Sequence, residues 1–351
     1  LAKNDGAASL AAPLTPPSML ARRRRAAAVT LVLAALLLAL LVLGLCLGYT
    51  ALTPAQALAG LTGTSDEPTR LIVRTFRLPR LAIAMLIGGA LAASGLILQA
   101  IARNDLADPG ILGINAGAGA AVMALLLALG GQPDSPFGLP VVAMSGAAAT
   151  AALIYALSLK GGGVEPGRLL LVGIAVGAGL ASATLVVSLR MDPGVYRFAV
   201  EWLTGTIHGR DWTDVLAILP WLALLLPATW LLRRDLDVLA LGQATAMGLG
   251  VPVERRRLTL VGVAVGLSGA AVAVGGGIGF IGLLAPHIAR RLVGPIHAFA
   301  LPATVLVGAT LVLAADVLTR NMLQPIELPV GVVVAALGAP YFLFLLARTG
   351  R

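Results

Sequence analysis

Charged and aromatic side chains are scarce in this chain of 351 residues, at 12% and 4% respectively. A soluble domain carries about twice that share of charge, so the composition excludes a water-exposed fold for most of the chain. The single cysteine, Cys46, excludes a disulfide framework and a thiolate metal cluster. Apolar residues dominate instead, at 58% with a mean hydropathy of +0.95.

Ten apolar runs recur along the chain, most of them close to the ~20 residues needed to cross a hydrocarbon core of about 30 Å. They are 26–49, 81–102, 110–129, 139–159, 169–189, 215–232, 258–274, 279–293, 298–318 and 328–347, of which the third and eighth are less regular. The 42 glycines fit helices that pack closely in lipid through small residues. The sequence therefore predicts an all-α polytopic membrane protein with about ten transmembrane helices.

Basic residues lie at the ends of these runs, as topology determinants do. Although the net charge is +9, no soluble basic face remains to bind nucleic acid. With a cytoplasmic N-terminus, 17 of the 25 Lys and Arg residues fall inside and 8 outside, which predicts that both termini are cytoplasmic. Residues 1–20 are predicted to be disordered, and 21–351 to form one transmembrane domain that keeps its first helix, since that run is too long for a signal peptide.

One inside loop, 233–257, is much longer than the others. Its central segment, 239–251, is mildly apolar and interrupted by glycines, a pattern that favours short helices with a turn. An apolar surface that faces water indicates a protein partner, although an ordinary amphipathic connector would show the same pattern.

Six motifs occur in a fixed order along residues 70–348. They are Arg77-Leu78-Pro79-Arg80; Gln99 with the stretch 104–113; Trp202-Leu203-Thr204-Gly205 with Arg210 and Trp212; 277–283 leading to Pro286-His287; 327–331; and Gly338-Ala339-Pro340. Through this combination the chain resembles the FecCD type of permease subunit in bacterial ABC importers for iron-siderophore complexes, haem and vitamin B12.

The resemblance implies a BtuC-like fold in the bacterial inner membrane. It implies a dimer with an identical or sister permease, two ABC ATPase subunits on the cytoplasmic face, and a periplasmic or lipid-anchored substrate-binding protein outside. The chain itself is predicted not to be an enzyme. Its nearest approach to a P-loop, 162–167, is followed by Arg168 and Leu169 instead of Lys and Ser/Thr.

The resemblance assigns the ATPase coupling surface to 239–251. The predicted coupling residues are Leu241, Gly242, Gln243, Met247, Leu249, Gly250 and Val251. Relatives usually have acidic residues where this chain has Gln243 and Ala244, and commonly have a proline where it has Asp105.

On the outside face, Arg77, Arg80 and Arg320 are predicted to dock the binding protein. Arginine pairs bidentately with carboxylates, and related importers dock through acidic residues of the binding protein. The alternatives are snorkelling, or pairing within the subunit, for instance of Arg320 with Asp316 or with Glu327 nearby.

The resemblance places the translocation path along the helix at 168–190. The predicted path residues are Gly173, Gly177, Ser182, Thr184 and Ser188, and the predicted inner gate is Gly161, Gly162 and Gly163. Helix packing would use the same small residues. A short helix at 196–208 is expected at the outer mouth, with Trp202 at the interface or over the opening.

No metal site and no cofactor are predicted, because His208, His287 and His297 lack a shared ligand spacing. Lipid is the remaining expected partner. The predicted cargo is an Fe(III)-siderophore complex, with haem and vitamin B12 as alternatives. A proton- or sodium-driven transporter is the rival class, but its usual midplane acids are absent apart from Asp316.

Overall fold

A computed structural model describes residues 19–110, 113–133, 135, 137–160, 163–164, 166–322 and 327–349. Its first elements are α1 (Met19–Cys46), α2 (Pro54–Thr62), α3 (Glu67–Leu71), a π-helical segment (Ile72–Arg77), α4 (Leu78–Ala102), α5 (Ile114–Leu129), α6 (Gly138–Ser158), β1 (Leu159–Lys160) and β2 (Gly163–Val164). They are followed by α7 (Pro166–Ser188), α8 (Pro193–Leu203), α9 (Trp212–Leu231), α10 (Arg233–Ala240), α11 (Gln243–Gly248), α12 (Val253–Gly275), α13 (Ile281–Val293), α14 (His297–Met322) and α15 (Val330–Thr349).

The all-α prediction is confirmed, and all ten apolar runs fall on helices. The only strands in the described ranges are two-residue β1 and β2, which form an antiparallel hairpin. Seven described helices are long and apolar enough to cross a membrane, two more apolar helices are shorter, and α13 has 13 residues. The chain is thus a multi-pass membrane protein, while the count of ten spans stays a prediction. The predicted disordered segment, 1–20, lies outside the described residues except for its last two.

Helix α4 forms the centre of the fold. In the most apolar 18-residue stretch of the continuous helix Glu67–Ala102, which contains α4, 83% of the residues are buried. They are buried because α12, α13 and α14 pack around α4. Glycines allow the close approach: a Cβ at Gly95 would lie 1.9 Å from the Gly282 carbonyl oxygen on α13, and one at Gly88 would lie 2.3 Å from that of Gly308 on α14. Small residues thus do the packing that the composition predicted.

The bundle has two chemically distinct ends. At the basic end, Arg290 pairs with Asp105, Arg256 with Asp235, and Arg25 donates to the Arg291 carbonyl oxygen. At the opposite end, Arg80 pairs with Glu327, and the Trp212 indole donates to the Arg74 carbonyl oxygen. We call the end that carries Arg25, Arg256 and Arg290 the basic end. Which end faces the cytoplasm stays a prediction.

The short helix expected at 196–208 is α8, but it begins at Pro193 and ends at Leu203. Trp202 is 2% exposed, so it packs inside the subunit and does not lie over an opening. Its carbonyl oxygen accepts the Gly277 N–H at 3.3 Å. This bond joins the end of α8 to the segment that leads into α13.

Candidate functional site

Arg77 lies at the end of the π-helical segment and is 6% exposed. Its guanidinium donates hydrogen bonds to the carbonyl oxygens of Leu45, Cys46 and Thr50. These groups follow the end of α1, where helix termini leave carbonyls without intrahelical partners. Arg77 thus holds the α1 end against the start of α4.

Arg80 and Arg320 share one carboxylate. The Arg80 Nε donates to Asp316 Oδ1 at 2.7 Å, and Arg320 Nε lies 3.3 Å from Asp316 Oδ2. The Asp316 side chain is fully buried, and Arg320 also donates to the Gly44 carbonyl oxygen. Pairing within the subunit, the alternative to docking, is therefore present for Arg80 and Arg320.

Glu327 extends this group toward solvent. Its Oε2 lies 2.8 Å from Arg80 Nη1 and 2.8 Å from His208 Nδ1. The hydrogen bond from His208 lowers the pKa of Glu327 to about 2, helped by the Arg80 charge and opposed by burial. The same bond raises the pKa of His208 above its ordinary value. We call Arg77, Arg80, Asp316, Arg320 and Glu327 the arginine cluster.

The arginine cluster borders a cavity of about 280 Å³. Arg77, Arg80, Arg320 and Glu327 line it, together with loop residues after α1 and the side chain of Phe76. Tyr49 and Phe76, both lining residues, are 88% and 61% exposed. Exposed aromatic rings beside recessed arginines are typical of protein-protein contact surfaces.

The sequence did not single out the link between His208 and Glu327. It joins the loop after α8 to the loop before α15, 119 residues apart. The sequence offers no signal for this link, because His208 is expected to end a short helix and Glu327 to begin a separate motif, with nothing that relates the two in space.

At the basic end, the predicted coupling segment forms the end of α10, a turn and α11. Gly242 adopts a φ of +110° in that turn, and its Cβ position would lie 3.1 Å from Arg103 Nη1. Gly250 follows α11 with a φ of +78°. Leu241, Met247 and Leu249 are 65%, 55% and 63% exposed. Leu239 and Ala246 of the same segment are buried. The segment therefore packs one side against the bundle and presents these three apolar side chains outward.

Arg257 was not predicted as a functional residue, yet it connects three elements. It is 4% exposed and donates to Glu254 on its own helix, to the Val164 carbonyl oxygen on β2, and at 3.4 Å to Gln243 Oε1 on α11. Gln243 thus interacts with a buried cation, which an acidic residue at that position would also do.

Part of the predicted inner gate lies next to Val164, to which Arg257 donates. Gly163 belongs to β2 and pairs with Lys160 across the hairpin, whereas Gly161 and Gly162 lie outside the described residues. Through Val164, Arg257 is therefore bonded to the strand that carries Gly163.

Helix α7 is the predicted path helix. It is the least buried spanning helix that the structure describes, since only 6% of its most apolar 18-residue stretch is buried. Gly173 and Gly177 face Gly113 at the start of α5. A Cβ at Gly113 would lie 3.1 Å from the Gly173 carbonyl oxygen and 3.4 Å from the Gly177 Cα, so these glycines take part in helix packing. The hydroxyls of Ser182, Thr184 and Ser188 donate to carbonyl oxygens of α7 itself. The open face of α7 leaves room for a path or a second subunit, and the path role stays a prediction.

The histidines are separate from one another. His208 bonds Glu327, His297 bonds Asp237 at 2.7 Å, and the His287 ring contacts Tyr341 at a centroid distance of 6.0 Å. Among the residues that the structure describes, no group of three or more His, Cys, Asp or Glu side chains could hold a metal ion.

Comparison with known proteins identifies the family. Residues 36–348 match the FecCD transport family. The chain belongs to the FecCD transport family. This FecCD chain is 43% identical over 311 residues to the iron(3+)-hydroxamate import system permease protein FhuG of Bacillus subtilis, covering 87% of this chain and 92% of that protein.

Two further similarities agree. The FecCD chain is 41% identical over 277 residues to the Fe(3+) dicitrate transport system permease protein FecD of Escherichia coli, covering 79% of this chain and 85% of that protein. Its fold matches a solved inward-facing ABC transporter assigned to the metal-chelate type, with a TM-score of 0.81, 28% identity, and coverage of 92% of this chain and 99% of that one. The resemblance read from the six motifs is confirmed.

Asp105, one departure of this FecCD chain from the expected pattern, has a structural role. Its Oδ1 lies 3.0 Å from Arg290 Nη2 on α13, and the same nitrogen bonds Gln99 Oε1 on α4. Gln99 in turn donates to the Gly282 carbonyl oxygen. Asp105 therefore supplies charge to a contact between the basic-end termini of α4 and α13.

Proposed function

We propose that the chain is the permease subunit of an ATP-binding-cassette importer that moves Fe(III)-siderophore complexes across the bacterial inner membrane. The family match over residues 36–348 carries this proposal. It is supported by relatives named for iron(3+)-hydroxamate and Fe(3+) dicitrate transport. A chelated iron complex is transported as a whole ligand, so the permease needs no metal-coordinating residues of its own.

Two ATPase subunits supply the energy and contact the coupling segment. Leu241, Met247 and Leu249 support this assignment, since exposed apolar side chains at a cytoplasmic surface fit a partner groove. Gly242 and Gly250 set the direction of α11. Gln243 and Val251 complete the surface, and the chain hydrolyses no ATP because it has no P-loop lysine.

A substrate-binding protein docks at the arginine cluster. An acidic side chain of that protein enters the cavity bordered by Arg77, Arg80 and Arg320 and competes there with Glu327. Tyr49 and Phe76 supply the apolar contacts around it. Docking of this kind perturbs the bonds that tie α4 to the ends of α1 and α14.

The cargo passes along α7 at the contact with a second permease subunit, identical or sister. The open face of α7 supports this placement, and the segment 161–163 closes the path at the cytoplasmic side. Arg257 links the ATPase contact to the gate, since it is bonded both to Gln243 in the coupling segment and to β2 beside the gate. Movement of α11 by the ATPase is thereby passed to the hairpin.

Uptake of a radioactive ferric siderophore tests the proposal in cells that lack the chain and its close relatives. The intact chain restores uptake, and Met247→Glu, which introduces charge into the ATPase contact, reduces it. Thr259→Ser, an exposed change on α12 outside the coupling segment, serves as the control. Uptake that persists after deletion of the ATPase partner would contradict the proposal.

A further inference from the structure

An apolar groove runs along the outside of the bundle between α6, α9 and α12, away from the arginine cluster and the coupling segment. Its volume is about 500 Å³. We call it the lateral groove. None of the described residues that line it carries a charge. Its floor is formed by small residues: Ala148, Ala151, Ala152, Ala156, Gly262, Gly266 and Gly269.

The length of the lateral groove matches one leaflet of a bilayer. Along α12 its lining extends from Leu258 to Gly269, which is about 16 Å at 1.5 Å per residue. Half of a hydrocarbon core is about 15 Å. The groove begins at the basic end of the bundle, so it occupies the depth of the leaflet on that side.

Two exposed arginines stand at the basic end of the lateral groove. Arg255 lies one helical turn before Leu258 and seven residues before Gly262, so it continues the face of α12 that lines the groove. The Arg168 Nε donates to the Leu157 carbonyl oxygen at 3.2 Å. That bond holds the guanidinium beside Ala156, the last groove residue of α6, and Leu159, the first residue of β1.

We propose that the lateral groove is a binding site for one anionic phospholipid. An acyl chain lies along the small residues of α6 and α12, and the phosphate contacts Arg255 and Arg168. Glu254 also lies at the interfacial end, where its Oε2 accepts a hydrogen bond from the groove residue Tyr155 at 3.5 Å, but it is paired with Arg257. Arg255 and Arg168 therefore leave a net positive charge at that end. An apolar channel one leaflet long with a positive interfacial end has the polarity pattern of an anionic phospholipid. An iron-chelate cargo does not fit this groove, because its lining is almost entirely apolar and carries no charge.

The expected selectivity follows from the charges. Each arginine near the membrane surface favours an anionic lipid about fivefold over a zwitterionic one. The proposal does not depend on the cargo or on the ATPase, because it concerns only the membrane face of the chain.

Fluorescence quenching by acyl-chain-brominated lipids tests the site, because Trp221 lines the lateral groove and is 41% exposed. The full chain with its co-purified partners is placed in nanodiscs that contain brominated phosphatidylglycerol or brominated phosphatidylcholine. The emission that belongs to Trp221 is obtained by difference from a Trp221→Phe variant prepared in the same way.

The variants separate filling of the groove from recognition of charge. A Cβ at Gly262 would meet no heavy atom within 4 Å, so Gly262→Leu occupies the groove without a backbone clash. Its control is Gly179→Leu on α7, where a Cβ also meets none. Arg255→Gln and Arg168→Gln remove the charges, and Arg234→Gln, another exposed arginine at the basic end, is their control.

We expect phosphatidylglycerol to quench Trp221 at an apparent affinity about 25 times that of phosphatidylcholine, fivefold for each of the two arginines. Gly262→Leu abolishes the preference for phosphatidylglycerol, and each groove arginine variant lowers that preference about fivefold, whereas both controls keep it. Equal quenching by the two lipids, a preference unchanged in Arg255→Gln and Arg168→Gln, or no quenching by either lipid would each overturn the proposal.

Discussion

At the scale of single residues, Asp316 is a fully buried carboxylate that pairs with two arginines. Its fully buried carboxylate faces both Arg80 and Arg320. Removing one partner from a buried ion pair leaves uncompensated charge, which costs about 3 to 5 kcal/mol. Asp316→Asn should therefore lower the free energy of unfolding by about that amount, seen as a lower melting temperature of the purified protein.

Asp192→Asn is the matched control for Asp316→Asn. Asp192 is exposed at the start of α8 and its side chain makes no capping hydrogen bond there. The melting temperature of this variant should stay close to that of the unchanged protein. Equal melting temperatures for the two variants would show that the arginine cluster does not stabilise the fold.

The hydrogen bond between His208 and Glu327 predicts a raised pKa for His208, which can be measured from the NMR signal of its ring. The bond to Glu327 raises the pKa of His208 above 6.5. In Glu327→Gln the acceptor charge is lost, so the pKa of His208 should fall toward 6.5. NMR titration of the labelled histidine rings measures this change in the pKa of His208.

The same pair sets a pH window for the contact between the two loops. Glu327 has its pKa lowered to about 2 from 4.5, so its contribution is present above pH 4.5 and is lost as the pH falls through 2. His208 has a raised pKa, so its contribution is complete below 6.5 and is lost as the pH rises through the raised value. An unshifted His208 in the intact protein would contradict this account.

At the scale of elements, close contact between helices depends on single glycines. A Cβ at Gly95 would lie 1.9 Å from the Gly282 carbonyl oxygen, so Gly95→Ala forces α4 away from α13. Overpacking of this kind costs about 1 to 3 kcal/mol or more, and the melting temperature should fall.

Gly262→Ala is the control for Gly95→Ala. It also lies within a spanning helix, α12, but a Cβ there meets no heavy atom within 4 Å. Alanine is the better helix former by about 0.5 to 1 kcal/mol, so the melting temperature should stay equal or rise. A fall of the same size in both variants would contradict the packing account.

The contacts of Arg257 predict that replacing it lowers the amount of cargo transported per ATP hydrolysed. Arg257→Lys keeps the charge but loses the planar fork that reaches both Val164 and Gln243. Under the proposed function, uptake per ATP hydrolysed should fall about tenfold, the loss expected for one charged hydrogen bond. ATPase and uptake rates are measured together in proteoliposomes, with Arg234→Lys as the control.

An unchanged ratio of uptake to hydrolysis in Arg257→Lys would show that Arg257 only stabilises the hairpin. A normal melting temperature in the same sample is required, because Arg257 is buried and its replacement also affects the fold.

The helices were predictable from the sequence because a spanning run is a local property of about 20 residues. The partners of Arg80 and Arg257 were not, since Asp316 lies 236 residues from Arg80 and Val164 lies 93 residues from Arg257. The sequence predicts Trp202 at the interface or over the opening, which is wrong, because periodicity shows that a face is apolar but not what covers it. Contacts at such separations need the packing of the whole bundle.

At the scale of the whole molecule, the described residues form two chemically different ends around the buried helix α4. One end holds the arginine cluster with its cavity and exposed rings. The other holds the coupling segment, which Arg257 connects to the hairpin. Alternating access under the proposed function needs communication between these ends, and α4 reaches both through Arg80 and Gln99.

The most direct measurement is uptake into proteoliposomes that contain the permease, its ATPase and its binding protein. A ferric siderophore, haem and cobalamin are offered side by side, with ATP or with an ion gradient alone. The account predicts siderophore uptake that disappears without ATP or without the binding protein. Uptake of haem or cobalamin alone would correct the cargo, and uptake driven by an ion gradient without ATP would contradict the account.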